Sequence, residues 1–379
     1  MDQGMNWEAT VLPPPIRRGR GVSENLPNRF ERAATEPFDD GWPGDPEAMP
    51  AGAPLPPLAT TLTPDRSRSA ISRNQSPDLG FDRAINPYRG CEHGCVYCYA
   101  RPSHAYLGWS PGLDFETRLT FKPGIAALLE RELRRPGYEA RPIALGSNTD
   151  PYQPVDRTLA LTRQVLEVLE RFGHPVSIVT KSAGVLRDAD ILRRMSARGL
   201  ARVWLSVTTL DHTLARSMEP RAAAPHRRLQ AVEQLAREGI AAGVLAAPMI
   251  PGLNDAELER ILEAAALAGA DAAGYTLLRL PLELRTLFET WLHQHYPQRA
   301  AHVLSLIRQT RDGQLNDSRV GQRFTGQGAY AALLAQRFAV ASRRNGLSRP
   351  ASLRCDLFQV PPDPNAALKR ASDRQMALF

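Results

Sequence analysis

The sequence predicts an α/β fold in which parallel strands alternate with helices, and three observations support this class. Short apolar runs rich in β-branched residues recur between residues 80 and 281, with longer amphipathic stretches between them. The runs that begin near 143, 176, 203, 243 and 275 are about 30 residues apart, the length of one strand–helix unit. The chain has 379 residues and is 43% hydrophobic, which suits a globular protein with a large core.

Six strands and five intervening helices can be placed in order. The predicted strands are Ala84 to Tyr88, Ile143 to Ser147, Val176 to Thr180, Val203 to Thr208, Gly243 to Met249 and Tyr275 to Leu280. The helix between the second and third strands carries an apolar stripe at helical spacing, formed by Val165, Leu166, Leu169 and Phe172. Comparable helices fit residues 122–135, 185–197, 226–238 and 255–268.

The number of units distinguishes between the candidate architectures. Periodicity alone fits both an open doubly wound sheet and a barrel. A complete eight-unit barrel takes about 250 residues, whereas only about 200 lie between residues 80 and 281. The count favours a partial (β/α)6 TIM-like barrel, which we assign to residues 76–281.

The two ends of the chain differ from this core. Residues 1–75 contain 12 prolines and no helical or strand period, so we expect a flexible, disordered leader rich in proline and arginine. After Pro281 only helical patterns remain, near 283–295, 298–311 and 327–344. They predict a helical C-terminal extension over residues 282–379 that covers or flanks the barrel mouth.

The positive charge is concentrated in this extension. The chain carries a formal net charge of +7, and residues 282–379 hold 14 Lys and Arg against 7 Asp and Glu. A basic surface of this kind can bind nucleic acid or another polyanion, or it can be an ordinary solvated surface rich in arginine. Nucleic acid is therefore one candidate partner.

The cysteine content and the apolar runs indicate the compartment. No run of 18 or more apolar residues occurs, and the first ten residues lack the basic-then-apolar order of a secretion signal. The chain has four cysteines, three of them within eight positions, which indicates a reducing compartment and a metal site rather than disulfides. We expect a cytoplasmic protein without a membrane partner.

The clustered cysteines predict a metal centre. Cys91, Cys95 and Cys98 have C-x3-C-x2-C spacing on the loop after the first predicted strand. Thiolates select iron–sulfur clusters, zinc or copper(I). Three protein ligands leave one iron of a four-iron cluster open to a substrate or cofactor. A zinc site with four cysteine ligands could be completed only by the distant Cys355, and a ferredoxin-type carrier needs four cysteines for its cluster.

The segment from Cys91 to Cys98, CEHGCVYC, follows INPYRG and resembles the signature of radical S-adenosylmethionine (SAM) enzymes. It is most similar to the spore photoproduct lyase-like subgroup, whose members are often called DNA repair photolyases. The resemblance covers residues 80–281. It implies a partial (β/α)6 barrel with one [4Fe–4S] cluster that binds SAM. It also implies cleavage of SAM to a 5′-deoxyadenosyl radical that takes a hydrogen atom from a substrate, with an electron donor of the flavodoxin or ferredoxin type.

The resemblance also assigns roles to individual residues. Tyr97 matches an aromatic side chain that contacts adenine, and Tyr99 matches a tyrosine implicated in radical transfer, which makes it the candidate catalytic residue. The remaining candidate SAM contacts follow the ends of the second to fifth strands. They are Ser147 and Thr149 for the amino acid part, Lys181 for the carboxylate, Ser206 for the ribose and Asn254 beside the adenine.

The resemblance to the lyase breaks at Ser147. The lyase has at this position a cysteine that returns a hydrogen atom to the product radical, and an O–H bond is too strong to replace that S–H bond. We therefore do not expect repair of spore photoproduct. Only Cys355 remains outside the motif, too few for an auxiliary cluster. The alternative from the residues alone is a metal-stabilised nucleic-acid-binding protein, with zinc or an iron–sulfur cluster and without SAM chemistry.

Overall fold

The structure, a computed structural model, describes residues 16–31, 58–347 and 350–362. Within these ranges the chain forms ten strands. They are β1 (Thr61–Pro64), β2 (Ile71–Arg73), β3 (Arg83–Ile85), β4 (Tyr88–Arg89), β5 (Arg118–Phe121), β6 (Ile143–Leu145), β7 (Val176–Thr180), β8 (Ala201–Ser206), β9 (Ala242–Met249) and β10 (Ala272–Leu277).

The same ranges contain eleven α-helices. They are α1 (Asp114–Thr117), α2 (Ile125–Leu133), α3 (Asp156–Leu159), α4 (Leu161–Arg171), α5 (Ala189–Ala197), α6 (His212–Met218), α7 (Pro225–Arg237), α8 (Leu258–Leu267), α9 (Leu284–His295), α10 (Pro297–Gln309) and α11 (Gly328–Arg344). Short 3-10 helices span Arg101–Leu107, Ala183–Asp188 and Asp255–Glu257. None of the helices in the described ranges is both long and apolar enough to cross a membrane.

Six parallel strands form the centre of the molecule. They are neighbours in the order β10, β9, β8, β7, β6 and β3, and β2 adds one antiparallel strand beside β3. Helices connect the successive parallel strands, as expected for right-handed strand–helix units. The predicted α/β class with a six-stranded parallel array is confirmed. The hydrogen-bonded sheet ends at β10 and at β2, so these strands form an open arc rather than a closed barrel.

The predicted helices agree with the observed ones because their apolar stripes are buried. In α4, Val165, Leu166 and Leu169 are completely buried and belong to the same core as β6 and β7. Burial of one such leucine side chain contributes about 2 kcal/mol. The stripe therefore decides which face of the helix meets the sheet. Helices α2, α5, α7 and α8 in the core and α9, α10 and α11 in the extension also match their predicted positions.

The first predicted strand differs from the structure. The run Ala84 to Tyr88 is divided between β3, in the main sheet, and β4, in a separate three-stranded sheet with β5 and β1. Pro87 lies at the division, and proline has no N–H to donate to a central strand. The chain therefore leaves the main sheet at Asn86, just before the cysteine loop.

Part of the predicted leader is ordered against the core. Arg20 is 8% exposed and donates hydrogen bonds to the backbone oxygens of Glu116, at 3.0 Å, and Leu58. The Glu116 carboxylate accepts from the backbone N–H groups of Gly21 and Val22. Residues 61–73 contain β1 and β2. These contacts join residues that are far apart in the chain, and such contacts cannot be predicted from local periodicity. Residues 1–15 and 32–57 of the predicted leader lie outside the described residues.

The C-terminal extension spans the open side of the strand arc. The N–H of Leu277 in β10 donates to the carbonyl oxygen of Phe324 at 2.8 Å. Arg323 forms an ion pair with Asp78, in the loop after β2, with Nε and Oδ2 2.7 Å apart, and the N–H of Gly321 donates to the same carboxylate. Residues 321–324, the bridging segment, thus connect the two ends of the sheet.

Candidate active site

A cavity of about 680 Å³ lies at the C-terminal ends of the parallel strands. Its walls come from the segments that follow β6 to β10, together with the cysteine loop and the bridging segment. This is the end of a parallel α/β array where loops from several strands converge, and where active sites of such folds are built.

All three motif cysteines line this cavity. Cys91 and Cys95 are buried and Cys98 is partly exposed, and none of the three forms a disulfide. Burial raises the pKa of each thiol above its ordinary value. The three cysteines therefore border one common cavity, from a single loop.

A buried ion pair holds the backbone of the cysteine loop. Arg101 and Glu116 are both completely buried, and their side chains form an ion pair. Arg101 also donates to the carbonyl oxygens of Cys95, at 2.9 Å, and Gly94, at 3.1 Å. These hydrogen bonds hold the loop through its own backbone acceptors.

Gly94 is required by the packing of this loop. It has φ +66°, and a Cβ at this position would lie 2.6 Å from a carboxylate oxygen of Glu116. Both the backbone conformation and the space exclude a larger residue. The glycine thereby lets the loop approach the ion pair that holds it.

Asp150 connects the cysteine loop to the ends of two strands. Its carboxylate accepts from the Thr180 hydroxyl and from the Lys181 backbone N–H, both at 2.7 Å, and lies 3.2 Å from Nδ1 of His93. Burial by itself would raise the pKa of Asp150, but the charge and hydrogen bond of His93 and the other two donors hold it at about 2. Asp150 thus stays ionised. The resemblance places residues 146–150 at the amino acid part of SAM but predicted no individual role for Asp150, although a carboxylate in the loop after a parallel strand is a signal for a site.

Four candidate SAM contacts surround the cysteines. Lys181 lies with Nζ 5.6 Å from the ring centroid of Tyr97, and no carboxylate in the described chain pairs with its ammonium group. The Thr149 hydroxyl donates to a backbone carbonyl oxygen at 2.7 Å and accepts from the Gln153 amide at 3.0 Å, which leaves one lone pair of its oxygen as an acceptor. Ser206 is 3% exposed and lines the cavity, and its hydroxyl has no partner among the described residues.

Ser147 and Tyr99 lie on the same wall. The Tyr99 hydroxyl donates to the carbonyl oxygen of Ser147, and the Tyr99 side chain is 51% exposed. The Ser147 hydroxyl accepts from the Asn86 amide at 3.2 Å. Tyr99, the candidate catalytic residue, is therefore held in the cavity at its phenol end.

Asn254 has a different role from the predicted one. It does not line the cavity, and it is 1% exposed. Its amide nitrogen donates to the carbonyl oxygens of Thr208 and Pro248, and its amide oxygen accepts from the N–H of Ile250. Both donors are used within the protein, so Asn254 holds the turn after β9. This corrects the expectation that it contacts SAM.

A second buried ion pair supports Tyr97, and no local sequence pattern signals it. The Tyr97 hydroxyl donates to the carboxylate of Glu219, which also accepts from the Thr208 hydroxyl at 2.7 Å. Glu219 forms an ion pair with Arg228, and Arg228 donates to the carbonyl oxygen of Ser206 at 2.9 Å. The ion pair thus connects Tyr97, the candidate contact for adenine, with Ser206, the candidate contact for the ribose.

The donor set fits an iron–sulfur cluster. A zinc ion would need all of its ligand sulfurs within about 2.3 Å of one point. Across residues 16–31, 58–347 and 350–362, no three His, Cys, Asp or Glu side chains are arranged to hold a single ion. Three free thiols that line a common cavity match a larger centre, in which three of the four irons would each bind one thiolate.

Comparisons with known proteins agree with this geometry. Residues 85–265 match the Radical SAM superfamily. An uncharacterized protein of Mycobacterium tuberculosis, Rv2578c, is 35% identical over 232 residues, which cover 61% of this chain and 68% of the relative. An uncharacterized protein of Methanocaldococcus jannaschii, MJ0683, is 27% identical over 192 residues, covering 51% of this chain and 69% of the relative.

Among solved structures, spore photoproduct lyase complexed with dinucleoside spore photoproduct is similar, with a TM-score of 0.54 and 19% identity. The match covers 75% of this chain and 79% of the lyase. Similarity at this identity shows a shared fold. The superfamily match spans β6 to β9 and the whole cysteine motif. The chain belongs to the radical SAM superfamily of enzymes.

Proposed function

We propose that this chain is a single-cluster enzyme that cleaves SAM and uses the resulting 5′-deoxyadenosyl radical to remove a hydrogen atom from a substrate bound in the cavity. One observation carries the proposal. Nine of the ten candidate residues, from positions 91 to 206, line the same cavity. When bound on Cys91, Cys95 and Cys98, a [4Fe–4S] cluster would supply the electron that splits the sulfonium bond of SAM.

The surrounding residues have the chemistry that SAM requires. The ammonium group of Lys181 would neutralise the SAM carboxylate, and the remaining lone pair of the Thr149 oxygen would bind the SAM amino group. The free hydroxyl of Ser206 would bind the ribose, with Tyr97 beside the adenine. Each role uses a group that the protein leaves available.

Active sites that generate reactive intermediates are shielded from side reactions, and the bridging segment would contribute to this shielding. The bridging segment covers the open side of the strand arc, and Phe324 adds an aromatic wall there. We assign Tyr99 to the substrate side of the cavity, where its phenol is positioned by the carbonyl oxygen of Ser147. A role of Tyr99 in radical transfer remains a prediction.

The enzyme has no second thiol near the proposed reaction. Cys355 does not line the cavity, and its neighbours Arg354 and Gln359 hydrogen-bond to the backbone of Gly199 and Phe172. Those two residues precede β8 and β7, at the opposite end of the strands. With Ser147 in place of a hydrogen-donating cysteine, we propose a net reaction other than repair of spore photoproduct. Nucleic acid remains a candidate substrate because of the basic extension.

The reductant and the compartment follow from the same proposal. An electron donor of the flavodoxin or ferredoxin type would reduce the cluster. A reducing, cytoplasmic environment would keep the cysteines available as ligands.

The test is cluster reconstitution and SAM cleavage under anaerobic conditions. We expect iron rather than zinc in the wild-type protein, and formation of 5′-deoxyadenosine when dithionite and SAM are added. Cys95→Ala should abolish both cluster and cleavage, whereas Cys355→Ala, a matched control, should preserve both. A fully loaded wild-type protein that does not cleave SAM would contradict the proposal. Zinc in an air-stable preparation would favour the metal-stabilised nucleic-acid-binding alternative.

A further inference from the structure

The cavity extends beyond the candidate SAM contacts to a second side, which we call the arginine side. It is formed by Arg279, which follows β10, by Arg323 and Phe324 of the bridging segment, and by Tyr99. The loop after β2 completes it with Asp78. Nothing in the proposed binding of SAM uses these side chains.

Arg279 is a partly buried cation without a polar partner. Its guanidinium group makes no hydrogen bond or ion pair with any described residue, and its Nε is buried with no acceptor. Burial lowers the pKa of Arg279, and the positive charge of Arg323 lowers it further. Holding an unpaired charge away from water is costly, so such a group usually has a ligand or counter-ion.

Other buried arginines of the described chain use their terminal nitrogens as donors, which sets Arg279 apart. Arg311 is 1% exposed and, like Arg279, lacks a carboxylate partner, but it donates to four backbone carbonyl oxygens. Arg101 and Arg228 each combine an ion pair with backbone acceptors. The Nε of Arg311 also lacks an acceptor. The terminal nitrogens of these structural arginines are nevertheless occupied, whereas those of Arg279 have no partner among the described residues.

Aromatic contacts position the Arg279 guanidinium without using its donors. Its Cζ lies 4.8 Å from the ring centroid of Phe324 and 5.8 Å from that of Tyr99. Such contacts involve the π faces of the rings and leave the N–H groups available. A guanidinium held in this way presents its planar fork of donors to the cavity.

The nearby carboxylate does not neutralise this charge. Asp78 is already paired with Arg323, at 2.7 Å, and accepts the N–H of Gly321 at 2.8 Å. The two arginines and one aspartate leave the arginine side with one uncompensated positive charge. A planar donor fork with a positive charge matches the oxygens of a phosphate or carboxylate.

We propose that Arg279 binds an oxyanion group, phosphate or carboxylate, of the molecule on which this enzyme acts. The inference rests on the proposed function in that this molecule is the one that loses the hydrogen atom. It restricts the substrate to compounds that carry such a group on the part that enters the cavity. Tyr99 would then lie between the anchored anion and the cysteine loop.

The test is calorimetric titration of the reconstituted full-length protein with sodium phosphate and, separately, with sodium acetate. SAM is present without reductant, so that Lys181 is occupied and no cleavage takes place. We expect Arg279→Gln to weaken binding of the preferred anion by about tenfold to a hundredfold, the loss typical of a charged hydrogen bond. Arg73→Gln is the matched control, because Arg73 lines the same cavity but is exposed, and it should change affinity by about threefold or less.

The two anions distinguish a phosphate-bearing from a carboxylate-bearing substrate, and Arg279→Lys provides a second variant if the glutamine variant does not fold. It keeps the charge but loses the fork, so it should bind more weakly than wild type. Equal affinities for wild type and Arg279 variants, equal losses in Arg73→Gln, or no wild-type binding of either anion would overturn the inference. Failure of the proposed function would show separately, as absence of 5′-deoxyadenosine from the wild-type enzyme.

Discussion

The Glu219–Arg228 ion pair should be essential to both stability and SAM binding, and Glu219→Gln tests this. The pair is enclosed, with Glu219 2% and Arg228 1% exposed. The substitution keeps the shape of the side chain but removes its charge, so Arg228 becomes a buried cation without a counter-ion. Breaking one side of a buried pair costs about 3–5 kcal/mol. We expect a loss of that size in the free energy of unfolding.

The measurement is urea unfolding of the apoprotein followed by far-UV circular dichroism, with the free energy taken from the midpoint and slope. Glu233→Gln serves as the matched control, because the Glu233–Arg237 pair lies on an exposed helix face with side chains 45% and 75% exposed. Such a surface pair contributes at most about 1 kcal/mol. The double variant Glu219→Gln/Arg228→Met removes both buried charges and should be more stable than the sum of the single losses implies.

The same substitution has a functional readout. Tyr97 donates to the Glu219 carboxylate, so its phenol loses a charged acceptor in the glutamine variant. We expect the KM for SAM to rise in Glu219→Gln and to a similar extent in Tyr97→Phe. A Glu219→Gln protein within about 0.5 kcal/mol of wild type would refute the role assigned to the pair.

Two further predictions concern pH and the turn after β9. Burial lowers the pKa of His104 and of His174 to about 4, below the unfolded value of about 6.5. The unfolded chain therefore binds more protons between these values, so stability is complete above about pH 6.5 and falls towards pH 4. His174→Gln should reduce this slope in urea unfolding, and an unchanged slope would contradict it. Asn254→Ala should lower stability by about 1–3 kcal/mol, because it leaves the buried Thr208 carbonyl oxygen without its donor. Asn254→Ala should raise the KM for SAM less than Ser206→Ala does. A larger rise in Asn254→Ala would indicate that Asn254 does contact SAM.

Local patterns were sufficient for most of the fold. The strand-to-strand interval and the apolar stripes predicted β6 to β10 and eight of the α-helices close to their observed bounds. Each of these elements buries one face against a common core, and the apolar residues of that face recur at a regular spacing within a short stretch of sequence. The predicted strand Ala84 to Tyr88 is the exception. It is divided because Pro87 cannot donate a hydrogen bond to a neighbouring strand, although the run around it is apolar.

The candidate site was predicted where spacing or resemblance carried the information, and it was missed where contacts join distant residues. Resemblance placed Asn254 beside the adenine, but its amide is occupied by backbone groups of its own turn. The segment 16–31 was predicted to be flexible because it lacks periodicity, yet Arg20 and Glu116 dock it against the core. In both cases the structure differs from the prediction because of hydrogen bonds to backbone groups or contacts of buried charges. Neither kind of contact has a local sequence pattern.

By itself, the sequence determined the six strand–helix units and the three-cysteine loop, because both depend on residues close together in the chain. Only the tertiary structure decided which side chains keep free polar groups in the cavity. Glu219 and Arg228 became a supporting pair, and Arg279 became an unpaired cation between Phe324 and Tyr99. Whether a charged side chain is satisfied or available depends on partners tens to hundreds of positions away, and folding alone brings those partners together.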